Sequence, residues 1–263
     1  MMTRHAGRGR AGGAAGRRGG RVGDVGRYRP GMDPAGYLSH LRQEFAAFAA
    51  CLDDGSDLSA PVEHCGDWTL RDLAGHLGGG NLWAAAAVTE QRGDYEAPAA
   101  PRDPAALLTW LNDTSAVLLA ALDTDPATPA WTIAPPPTVG FWQRRRCLET
   151  LVHRWDIQNA AGEPAGLAPE LADDGVAEVV DVMAPRQVRL GRTSAPAHAV
   201  RLVATDTGSQ RVLGSGEPVA TARAGAADLL LMLWARLPAD APSITWDGDV
   251  ELARATLAGR LTP

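Results

Sequence analysis

The sequence predicts a mainly α-helical protein, a four-helix bundle followed by a small α+β domain, and three observations carry that expectation. Between residues 33 and 161, four long stretches repeat apolar side chains at alternating steps of three and four, the spacing of a helix with one buried face. Beyond residue 165 short β-branched runs appear between helical ones, the mark of a mixed α+β unit. Across 263 residues, 45% hydrophobic and 21% charged is ordinary globular usage, enough for a substantial core in each part.

The elements follow in order. Residues 1–31 hold ten Gly and eight Arg with almost no large apolar side chain, so a disordered tail is expected there. The opening MDPAGYLSHL makes Met32 a candidate true start; a targeting or nucleic-acid-binding tail is the alternative reading of the Arg run. Leu38, Leu41, Phe45, Phe48 and Leu52 mark the first helix, which Asp53, Asp54 and Gly55 should end. Thr69 and Asp72 fit a capping box that opens the second helix, running to about Gln91. Asp103 and Pro104 start the third, with Leu107, Leu111, Leu118 and Leu122 as its stripe. A Pro-rich loop leads to the fourth, from about Val139 to Ala161, closed by Gly162 and Pro164.

Domain limits of 32–165 and 166–263 follow from the change of pattern. In the second domain residues 168–184 read as a helix, Ala199–Thr205 and Pro218–Arg223 as strands around the turn Gly214-Ser215-Gly216, and Ala227–Leu237 as a strongly apolar helix. A strand at Ser243–Trp246 and a short last helix to Gly259 complete it.

Charge and cysteine usage exclude several function classes. Residues 1–30 carry eight Arg and one acid, a charge of +7, which leaves −13 on the remainder of a chain whose total is −6. A body that acidic is not a nucleic-acid-binding surface. No apolar run reaches the roughly 18 residues of a spanning helix, so no membrane partner is expected. Every basic residue is Arg, read as the codon bias of a GC-rich genome. Cys51, Cys65 and Cys147 show neither an even count nor CxxC spacing, so a disulfide framework is not expected and a reducing cytoplasm is the expected location.

Chemistry concentrates on FWQRRRCLETLVHRWDIQ in the fourth helix. Glu149 and His153 lie one turn apart on a face that borders the apolar seam, with Asp156 close to the same line. A carboxylate and an imidazole four apart can reach one divalent ion, and bundle interiors house such sites. His76, expected to be buried, precedes Gly78-Gly79-Gly80, whose missing side chains leave space beside the helix; the plainer reading is a core histidine bonded to a carbonyl. If the second and fourth helices are neighbours, His76, Glu149 and His153 form a two-imidazole, one-carboxylate set with a fourth position open.

DWTLRDLAGHL, then CLETLVHRWDIQNAAG some seventy residues on, with MDPAGYLSHL at the start, resembles the mycothiol-dependent maleylpyruvate isomerase family of DinB-like metal-binding bundles. The resemblance covers Met32 to about Gly162 and, more loosely, DLLLMLWARL and ITWDGD of the second domain, which resembles a sterol-carrier fold. It implies a divalent metal, zinc above all, held by His76, Glu149 and His153, and mycothiol as a small-thiol cosubstrate. The implied chemistry is activation of that thiol for addition to an electrophile, either as a cis–trans isomerase or as an S-transferase. It also implies a functional Arg in the second domain, which Arg236 or Arg223 would supply to a substrate carboxylate.

Asp156 either orients a ligand imidazole or pairs with Arg154 or Arg71 at the surface. Arg144, Arg145 and Arg146 read as a solvated face with one member turned inward, and Trp83 and Trp142 as core. Cys147 falls on the far side of the helix from Glu149 and is not a ligand; Cys65 beside His64 carries little weight. The competing function is a non-enzymatic metal- or ligand-binding protein whose second domain holds an apolar ligand or a partner.

Overall fold

The computed structural model describes residues 32–52 and 56–263. The expected tail at 1–31 and the helix stop at residues 53–55 lie outside them.

Four helices build the first domain: α1 (Pro34–Ala49), α2 (Leu70–Thr89), α3 (Pro104–Leu122) and α4 (Val139–Ala160). Two of them begin on a side-chain cap and one ends on a glycine. The Thr69 side chain accepts from the Asp72 backbone N–H while the Asp72 carboxylate accepts from the Thr69 N–H, the full capping box at the head of α2. Asp103 caps α3 through the Ala106 N–H. α4 closes on Gly162 at φ 81°, with Gly162 donating to the Asn159 carbonyl and Glu163 to that of Gln158. α2 pairs with α3 and α4, and α1 with α4 and α3, so the stripes Leu41/Phe45/Phe48, Leu73/Leu77, Leu107/Leu111/Leu118/Leu122 and Leu148/Leu151/Val152 meet in one core. α3 is long and apolar enough by composition to cross a membrane, although Asn112 and Asp113 break its apolar run; here it packs in the bundle against α2, α1 and α4.

The second domain starts with α5 (Pro169–Glu178), a π-helical turn (Val179–Met183) and α6 (Ala184–Arg189). A four-stranded sheet follows, in the order β2 (Gln210–Leu213), β1 (Ala199–Ala204), β3 (Pro218–Ala224), β4 (Thr245–Gly248), with β1 and β3 parallel and the outer pairs antiparallel. α7 (Ala226–Leu233) packs on α5 and on the central strands, and α8 (Val250–Leu257) packs on β3 and β1. The sequence reading has no β2, because this edge strand buries only Leu213 and shows no apolar alternation.

One boundary moves with consequence. The apolar run predicts a helix to Leu237, but α7 ends at Leu233 because Ala235 takes a left-handed φ of 57°. Ala235 donates to the Met232 carbonyl and Arg236 to that of Leu231, the closing pattern usually built on glycine. The chain reverses there and Arg236 turns back toward the bundle.

Candidate metal centre

α2 and α4 are neighbours, and their facing turns bring His76, Glu149 and His153 together. One donor atom from each lies within 4.8 Å of the others. His76 Nε2 is 3.2 Å from Glu149 Oε1, and the His76 and His153 rings meet edge to face at 5.1 Å. His76 is not the buried residue expected: its side chain is 38% exposed, against 13% for Glu149 and 6% for His153, and it stands at the mouth under the Trp68 ring.

The three glycines after His76 serve separate neighbours. A Cβ at Gly78 would strike the Trp110 ring, one at Gly80 would come within 2.8 Å of Arg146 Nη1, and Gly79 faces an open groove beside Ala97.

Burial works against the Glu149 charge, yet Arg145 and Arg146 outweigh it and hold the carboxyl well below its usual range. Both guanidiniums address the same oxygen: Arg146 Nη1 donates to Oε2 at 2.6 Å and Arg145 Nη2 lies 3.3 Å from it. Arg145 also donates to Glu178 of α5, and Arg144 grips Asp174 of the same helix. The solvated face expected of Arg144, Arg145 and Arg146 is therefore corrected: all three are buried, because each finds an acid or carbonyl partner inside.

Asp156 is buried and bonds His153 Nδ1 at 2.9 Å. Burial raises its pKa, but the hydrogen bonds from His153 and Arg236 overcome that and keep it ionised far below the usual range. An ionised acceptor places the proton on Nδ1, so Nε2 of His153 offers its lone pair. Burial also lowers the His153 pKa, which favours that neutral ring. Arg154 does not pair with Asp156; it binds Glu44, while Arg71 binds the Ala100 carbonyl.

Arg236 reaches Asp156 with Nε at 3.0 Å and Nη2 at 2.8 Å, a two-pronged grip across the domain boundary. Of the two arginines named by the sequence, Arg236 lines the cavity and Arg223 is an exposed residue of β3. Cys65, given little weight above, sits here: its Sγ is 3.5 Å from Asp156 and 3.4 Å from Arg236. No spacing signal marks a lone loop cysteine. Cys65, His153 and Asp156 also cluster, but burial and the Asp156 charge push the Cys65 thiol up to about 12 and Arg236 already occupies Asp156. Cys147 is buried on the other side of α4, and Trp83, Trp131 and Trp142 form an aromatic cluster.

The donor set suits a divalent cation. Ligands at about 2.0–2.1 Å around a tetrahedral ion are separated by about 3.4 Å, close to the 3.2 Å found for His76 and Glu149. A cavity of ≈ 470 Å³ opens onto the cluster, walled by His64, Cys65 and Trp68 on one side and Trp234, Arg236 and Arg260 on the other.

Fold and site thus define a two-domain protein with a bundle-borne, two-imidazole and one-carboxylate cluster beneath a second domain. Residues 38–158 match the mycothiol maleylpyruvate isomerase N-terminal domain, and residues 170–255 match the C-terminal domain of the same family. An uncharacterised protein of Mycobacterium tuberculosis, present in strains CDC 1551 / Oshkosh and H37Rv, is 30% identical over 161 residues, 59% of this chain and 82% of its own length. A crystal structure of the mycothiol-dependent maleylpyruvate isomerase superposes with a TM-score of 0.62 at 13% identity, over 82% of this chain and 93% of that one. A histidine-to-alanine mutant of that enzyme gives 0.63 with the same identity and coverage. The chain belongs to the mycothiol maleylpyruvate isomerase family.

Proposed function

We propose that this chain is a divalent-metal-dependent enzyme that activates a low-molecular-weight thiol, mycothiol, for addition to a small electrophile. The observation that supports this reading most is the convergence of His76, Glu149 and His153 at the floor of a cavity shared by the two domains. These three residues would hold the cation, zinc being the metal best matched to two imidazoles and a carboxylate. A cation there supplies Lewis acidity toward a thiol sulfur or a carbonyl oxygen.

The protein's own residues do the rest. Asp156 keeps Nε2 of His153 free to donate, and Arg236 keeps Asp156 ionised and in place. Trp68 and Trp234 give the cavity part of its apolar wall, against which the carbon skeleton of a thiol or electrophile can pack. In the isomerase reaction the thiolate forms a C–S bond to a double bond conjugated to a carbonyl, the resulting single bond rotates, and C–S cleavage returns the thiol and the trans product. An S-transferase shares the first step and ends with protonation of the adduct carbon.

The test is metal analysis of purified protein beside His76→Ala and Glu149→Ala, with a mycothiol-dependent maleylpyruvate isomerisation assay. We expect about one divalent ion per chain, lost with the activity in both variants while circular dichroism stays unchanged. A wild-type protein that takes up no zinc on reloading overturns the reading.

A further inference from the structure

Arg146 is a fully buried guanidinium lying between α2 and α4, an unusual investment of charge in a bundle core. Its Nη2 donates to the Leu77 carbonyl at 3.1 Å and to Asn81 Oδ1 at 2.7 Å, both on α2. Asn81 is itself buried and is held by Ser115 of α3. With Nη2 anchored, Nη1 is aimed at Glu149 Oε2, 2.6 Å away. Glycine at residue 80 leaves room for this placement: a Cβ there would lie 2.8 Å from that same Nη1, so the guanidinium would have to shift. Arg145, tied to Glu178, adds a second donor near Oε2. His76 meets the other oxygen, Oε1. The two oxygens of Glu149 therefore have different surroundings, one facing two guanidiniums and one facing the donor cluster.

We propose that Arg146 is a positioning residue: by pinning Oε2 of Glu149 it limits the carboxylate to a single oxygen toward the cation and keeps a coordination position open for the thiol. This rests on the metal-site reading above. A carboxylate free to turn would chelate with both oxygens and fill the position the thiol needs, a mode open to any unpinned Asp or Glu. Arg146 also neutralises the Glu149 charge, so a cation beside it keeps more of its positive charge for an incoming thiolate.

Cobalt(II) in place of the native metal reports coordination number, since its visible bands are intense when four-coordinate, intermediate when five-coordinate and weak when six-coordinate. Full-length wild type, Arg146→Leu and Gly80→Ala are loaded with cobalt(II) and titrated with mycothiol, following the sulfur-to-cobalt charge-transfer band. Gly80→Ala leaves the arginine in the sequence and favours the helix, so it serves where Arg146→Leu does not fold. We expect about one cobalt per chain in all three, intense bands in the wild type, weakened bands in both variants, and about tenfold or more weaker thiol binding in the variants. Folded variants that keep the wild-type bands and thiol affinity overturn the proposal while leaving the metal site intact. A wild type that takes up no cobalt fails at the earlier step, and both readings fall together.

Discussion

At the scale of single residues the site is set by which atom each neighbour occupies. Asp156 takes the Nδ1–H of His153, so the ring presents Nε2; Arg146 takes Oε2 of Glu149, so the carboxylate presents Oε1. An imidazole can donate to a metal from either nitrogen, and only its hydrogen-bonded partner decides between them. Asp156→Asn removes the ionised acceptor, and we expect zinc affinity to fall about 10- to 100-fold with the fold retained, measured by competition with a chromophoric chelator. Unchanged affinity would show that Asp156 serves Arg236 alone. His76, Glu149 and His153 were legible in the sequence because helical spacing and a family motif mark them. Cys65 was not, because nothing local distinguishes a loop thiol that folding places beside Asp156 and Arg236. Nor were the roles of Gly78 and Gly80, which depend on Trp110 and Arg146 arriving from other helices.

At the scale of elements, helix starts were legible, but the helical run read as ending at residue 184 continues to Arg189, and the end of α7 was not legible. Thr69, Asp72 and Asp103 act through bonds spanning three residues, which a sequence displays directly. Thr69→Ala should lower stability by about 1 kcal/mol through loss of the cap. Asp72 carries a pH signature: the Thr69 backbone N–H and hydroxyl hold its carboxyl below the ordinary value. A lowered folded pKa adds stability above the unfolded value, and that contribution is lost as pH falls through the folded one. Asp72→Ala should therefore be less stable than wild type at pH 7, with the gap narrowing below about pH 4, measured by urea denaturation at both conditions. A gap independent of pH would remove the charge from the account. The end of α7 escaped prediction because Ala235 adopts the left-handed conformation with no glycine to announce it. That unannounced reversal is what brings Arg236 to Asp156.

At the scale of the whole molecule, charge couples the two domains. Arg144 and Arg145 of α4 bind Asp174 and Glu178 of α5, and Tyr37 of α1 also donates to Asp174. Glu178 pays for its burial with a raised pKa despite Arg145, so the pairing holds geometry more than it adds stability. Arg144→Met should destabilise the protein by about 3–5 kcal/mol, because it leaves Asp174 buried with its principal cation gone. Arg144→Met with Asp174→Leu should recover most of that loss, as both charges are then absent; a double variant no better than the single one would refute the pairing account.

The sequence by itself determined the helices, their buried stripes, their caps and the placing of Glu149 and His153 one turn apart, because each depends on spacings within one or two turns. Only the tertiary structure decided which faces of α2 and α4 meet, that a run of three arginines turns inward, and that Arg236 closes on Asp156 across the domain boundary. The reason is physical: a buried charge is tolerated only beside its partner, and Arg144, Arg145, Arg146 and Asp156 each need at least one partner from another element, which no local pattern can name.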